Sequence, residues 1–117
     1  MRHITAVRRL LFISFSVILF FAVSSFAEAQ SGPGETIFKS KCILCHGADG
    51  TGNTPLGKQL QAANLRSKDV QGKTNAELHK VIHDGQTNMP AFAEQLTDAQ
   101  IDQVIKYVRT FGKGAKK

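Results

Sequence analysis

The chain has 117 residues, 15 Lys and Arg against 9 Asp and Glu, and a formal net charge of +6, which is length for one domain rather than several. Three of the arginines, Arg2, Arg8 and Arg9, crowd the first nine residues, and no Arg-rich stripe with interleaved aromatics follows. That pattern argues against nucleic-acid binding. The only two cysteines, Cys42 and Cys45, lie in the stretch KCILCHG.

The first nine residues carry those arginines and no acid; Leu10 to Val23 is an almost unbroken apolar run of 14 residues, and Ala27 and Ala29 have small-x-small spacing. A basic segment, an apolar segment and an A-x-A end are the parts of a secretory signal peptide. Residues 1–29 are therefore expected to be an export leader and residues 30–117 the functional domain, with the periplasm as destination. An uncleaved anchor is the competing reading, but the run falls short of the ~20 residues that span a bilayer. Cleavage after Ala29 leaves 12 basic and 8 acidic residues, or about +4. Such a domain exceeds the ~40 residues below which staples are usually needed, yet its core is small, and a bound apolar cofactor would help it fold. In an oxidising compartment two cysteines normally suggest a disulfide. A bridge over a two-residue gap removes little chain entropy, so Cys42 and Cys45 are assigned to chemistry.

Gln30 to Gly34 reads as a lead-in to a first helix, expected from about Glu35 into the cysteine motif with Ile37 and Phe38 at helical spacing. Gly47 to Thr54, GADGTGNT, is a glycine-rich turn region. Pro55 to Asp69 is ambiguous, with a short helix expected over Lys58 to Ala63. Thr74-Asn75-Ala76-Glu77 is a capping box, followed by Leu78, Val81 and Ile82 on one face and Gly85 as a left-handed stop. Gln86 to Gln95, QTNMPAFAEQ, is a loop with Met89 before Pro90. A second capping box, Thr97-Asp98-Ala99-Gln100, opens a helix whose stripe is Ile101, Val104, Ile105, Val108 and Phe111, with Gly112 expected to end it. No alternating strand pattern of useful length and no internal repeat is present. The domain is expected to be all-α.

C-x-x-C-H, here Cys42 to His46, is the attachment signature of haem c. Two thioethers must reach vinyl-derived carbons on one side of a porphyrin, and the next residue must bring a nitrogen under the iron. Cys42 and Cys45 would supply the sulfurs and His46 the proximal ligand. Gly47 lets the backbone leave the crowded haem face. Met89 is the only methionine besides Met1. Its thioether suits haem iron as a distal ligand, and Pro90 stiffens the loop that carries it. The competing reading of Met89 is ordinary core packing. His79 and His83, four apart on one helix face, are rival ligands, but the apolar pattern places them on a polar flank as surface histidines.

These residues resemble those of the class I monohaem cytochromes c. That family has CxxCH on an N-terminal helix, a methionine ligand in a late loop and a C-terminal helix crossing the first. CILCH at Cys42–His46 and NMPAF at Asn88–Phe92 match the two motifs, and Gly34, Phe38 and Tyr107 stand where the terminal helices of the family cross. The resemblance implies a small cytochrome c fold and one covalent haem c. It implies that Pro55 offers its carbonyl to the second ring nitrogen of His46, an ordinary turn proline being the alternative. Phe92 would pack near the methionine side of the haem.

A monomeric periplasmic electron carrier working with redox protein partners is the function this implies, with no bond-changing catalysis. Lys41, Lys58, Lys68, Lys73 and Lys80 are read as solubility residues in preference to a steering patch. The alternatives are a haem sensor or peroxidase-like protein with a labile sixth ligand, and a thiol–disulfide oxidoreductase. The latter places CxxC after a strand, and no strand precedes it here. A zinc site from Cys42, Cys45 and His46 is the remote remaining case.

Overall fold

The computed structural model describes residues 32–114. The leader expected over residues 1–29 and the extreme ends of the expected domain lie outside the described residues. Among the described residues six helices follow in order: α1 (Pro33–Lys41), α2 (Ile43–His46), α3 (Pro55–Leu60), α4 (Lys68–Gln71), α5 (Asn75–Asp84) and α6 (Asp98–Lys113). Among the described residues there is no strand, only an isolated antiparallel bridge between Gln86 and Met89. The fold is all-α, as the periodicity implies. No helix among these is long and apolar enough to cross a membrane.

Each boundary has a local cause. Pro33 opens α1, where its missing N–H costs nothing. Glu35 lies in its first turn and Lys39 and Lys41 in its last, matching the helix dipole. The helix breaks at Cys42 and resumes as α2, until Gly47 turns the chain away at φ 75°, a conformation that disfavours side chains. Both capping boxes form. Thr74 Oγ1 accepts from Glu77 N while Thr74 N donates to Glu77 Oε2 at 2.6 Å. Thr97 and Gln100 do the same at α6. Thr97→Ala should therefore destabilise the protein by about 1 kcal/mol, seen as a Tm lower by roughly 4–8 °C. An unchanged Tm would remove the cap from the account.

The core sits where α1 and α5 pack on α6. Phe38, Ile101, Val104 and Ile105 are fully buried, with Leu65, Val70, Leu78, Phe92, Leu96, Val108 and Phe111 around them. α1 crosses α6 at Gly34, where a Cβ would overlap the Gln103 carbonyl oxygen. The bare Cα is what lets the two backbones approach. Beside it Phe38, Tyr107 and Phe111 form a triangle of rings with centroids 5.2–5.3 Å apart, tilted or edge to face, the arrangement that aromatic quadrupoles favour. Arg109 pins the preceding segment to α6 by donating to the carbonyls of Gln71 and Lys73 and to Asn75 Oδ1.

Three expectations change. The helix expected over Lys58–Ala63 runs from Pro55 to Leu60, because Thr54 Oγ1 caps Gly57 N at 2.8 Å and Pro55 takes the first position. α4 was not anticipated; Ser67 caps it through Val70 N. Gly112 does not end α6, which continues to Lys113. The side chain of Gln71 packs against its Cα, where a Cβ would not fit.

Candidate functional site

A cavity of about 370 Å³ opens beside α2. Cys42, Cys45 and His46 line it from one side, Leu60 to Ala63 from the segment at the end of α3, Val81 from α5, and Met89, Pro90 and Phe92 from the late loop. Residues more than forty positions apart in the chain thus meet around one space.

Each polar group has a defined setting. His46 Nδ1 lies 3.0 Å from Ala63 O. A carbonyl can only accept, so Nδ1 carries the proton and Nε2 keeps its lone pair. Burial holds the His46 pKa below its ordinary value, partly opposed by the Ala63 bond. The ring therefore stays neutral, the form that binds metals. The carbonyl on this nitrogen belongs to Ala63 and not to Pro55, which is exposed at the start of α3. Burial and then the neighbouring Cys45 push the Cys42 thiol up to about 11. An attacking redox cysteine needs the opposite shift, so Cys42 is poorly set to attack a disulfide.

The late loop is tied at both ends. Gly85 leaves α5 at φ 77°. Gln86 and Met89 then exchange backbone hydrogen bonds of 3.0 and 2.7 Å. Phe92 N and Ala93 N donate to the carbonyls of Ile82 and His83 at 3.0 and 3.1 Å. Met89 is half-buried against the core, and Phe92, buried, lines the same cavity.

The rival histidines lie elsewhere. His79 faces Asp98, with Nε2 to Oδ1 3.5 Å, and His83 Nδ1 contacts Asp84 Oδ1 at 2.6 Å. Their rings stack with centroids 6.0 Å apart, and neither lines the cavity. Among the described residues no three His, Cys, Asp or Glu side chains gather as a metal site by themselves. Of the lysines, Lys80 pairs with Asp84 at 2.6 Å, while Lys41 reaches the cavity and donates to Gln95 Oε1 at 3.1 Å. Sequence reasoning missed Ala63, whose contribution is a backbone carbonyl with no residue-type signature.

The donor set is two thiols, one neutral imidazole and one thioether around a space with largely apolar walls. A native core closes voids of this size, so the cavity calls for an apolar guest with a metal that accepts nitrogen and sulfur. A haem covalently held through the CxxC pair fits that demand.

Comparison with known proteins gives the same family. Residues 29–108 match the family described as cytochrome C oxidase, cbb3-type, subunit III. The chain is 36% identical over 109 residues to cytochrome c6 of Rippkaea orientalis, covering 86% of this chain and 91% of that one. It is 36% identical over 87 residues to the cbb3-type cytochrome c oxidase subunit FixP of Bradyrhizobium diazoefficiens, covering 73% of this chain but only 29% of that subunit. Among solved structures, the KustC0563 c-type cytochrome aligns with TM-score 0.62 and 29% identity, over 67% of this chain and 95% of its own.

Proposed function

The chain belongs to the cytochrome c family, as a small monohaem class I member that carries electrons on a covalent c-type haem, and on that premise we propose which residues hold the haem and where the protein works. Cys42 and Cys45 form the two thioethers, His46 Nε2 is the proximal ligand and Met89 Sδ the distal one. The carrying observation is that a single cavity gathers both cysteines, His46 and Met89. When bound there, held by Cys42, Cys45, His46 and Met89, the haem would supply a one-electron ferric/ferrous couple.

The protein's own groups set the terms of that exchange. Ala63 fixes the tautomer and ring plane of His46. A neutral thioether opposite an imidazole favours the ferrous state more than a second imidazole would. Phe92, Leu60 and Val81 give the cavity apolar walls, and a preorganised, weakly polar lining lowers the reorganisation that each electron transfer demands. Lys41 lines the cavity and no carboxylate does, so a redox protein partner approaching it would meet one ammonium. The leader expected over residues 1–29 supports an exported, periplasmic carrier, as a monomer without stable membrane insertion.

The test is direct. Protein matured with a haem-attachment system should keep its colour in the polypeptide after acid–acetone extraction and give a c-type pyridine haemochrome spectrum. Colour lost to the organic phase would contradict the thioether assignment.

A further inference from the structure

Met89 stands at the end of a four-residue turn, Gln86 to Met89, whose inner residues have unusual roles. Thr87 adopts φ 47°, in the left-handed region that a β-branched residue occupies only at a cost. Asn88 Nδ2 donates to Leu60 O at 3.1 Å, 28 residues away. The bond also settles which end of the amide points there, since a carbonyl can only accept. Leu60 closes α3 and, like the turn, lines the cavity. Of the loop's other anchors, Phe92 to Ile82 and Ala93 to His83 return to α5, the helix it came from, and Lys41 Nζ holds Gln95 Oε1 at the loop's end. Asn88 supplies a side-chain hydrogen bond that joins the Gln86–Met89 turn to the end of α3.

We infer that Asn88 is a positioning residue for Met89: its bond to Leu60 latches a strained turn onto the end of α3 and so sets how readily the thioether leaves the iron. This rests on the reading of Met89 as distal ligand. Two opposing features act on the same turn. The Asn88 bond holds it down, and the backbone of Thr87 favours release. Both residues are exposed, so either can be changed without disturbing the core.

The experiment uses the full haem-loaded protein in the ferric state and follows the weak iron–thioether charge-transfer band while imidazole is added. Loss of the band reports opening of the loop. Asn88→Ala and Asn88→Asp, which keeps the shape but lacks the donor, should each raise the opening-limited rate roughly two- to tenfold, the range expected for one hydrogen bond. Thr87→Asn should lower it a few-fold, because asparagine tolerates the left-handed region. Thr97→Ala weakens the cap of α6, outside the Gln86–Met89 turn and its bond to Leu60, and should leave the rate unchanged. Unaltered rates in both Asn88 variants, or equal acceleration by Thr97→Ala, would overturn the latch while leaving Met89 as ligand. A wild type without the band would refute the ligation itself, and the latch with it.

Discussion

The double variant Cys42→Ser, Cys45→Ser should be recovered colourless and largely unfolded. Two effects combine. Serine hydroxyls form no thioether, so the haem is not retained. The space of about 370 Å³ then has no guest. At about 24 cal/mol per Å³ of void, an unfilled cavity of this size would cost up to ~9 kcal/mol. That is a ceiling, because one side is open and the walls can relax. Even half of it consumes most of the 5–15 kcal/mol by which a domain is ordinarily stable. Far-ultraviolet circular dichroism should show most of the helical signal gone and no cooperative melt. A variant that is colourless, helical and sharply melting would mean that the cavity needs no guest.

Gly34→Ala should be severely damaging for a single added methyl group. Its Cβ would overlap a backbone carbonyl of α6, and backbone cannot swing aside as a flexible side chain does. The two helices must separate, loosening Phe38 from Tyr107 and Phe111. Overpacking of this kind costs about 3 kcal/mol. Gly32→Ala is the control, because nothing lies within 4 Å of the added carbon. The denaturation midpoint should fall sharply for the first and stay within error for the second. Equal effects would show that general glycine entropy, and not the crossing, governs the result.

What the sequence made legible follows from how each feature is encoded. The two capping boxes, the stripe Ile101 to Phe111 and the C-x-x-C-H motif depend on residue type at fixed local spacing, and each stands where the pattern puts it. Gly34, Phe38 and Tyr107 needed the family resemblance, because their meeting is long-range. Thr54-Pro55 and Ser67 were readable as cap signals, yet the short helices they start have too few turns to show an apolar period. Ala63 could not be found at all. Its part is a main-chain carbonyl delivered by the path from Gly52 to Leu65, which is set by Gly52 N on His46 O and Leu65 N on Gly50 O. Gly112 resembles a stop until the Gln71 side chain is seen against it.

The cysteine pair also shows how structure separates competing chemistries. Cys-x-x-Cys alone permits a dithiol redox centre. Burial pushes the Cys42 thiol up to about 11, away from the shift an attacking thiolate needs, and both cysteines share one cavity with His46 and Met89.

The central claim is an iron closed on both faces by His46 and Met89. Its most direct test is the visible spectrum of the matured wild type beside Met89→Ala, in the ferric state and in the ferrous state under carbon monoxide. The wild type should show the iron–thioether charge-transfer band and bind carbon monoxide slowly or not at all. The variant should lose the band and bind the gas at once. A wild type that lacks the band and takes up carbon monoxide as fast as the variant would contradict the account.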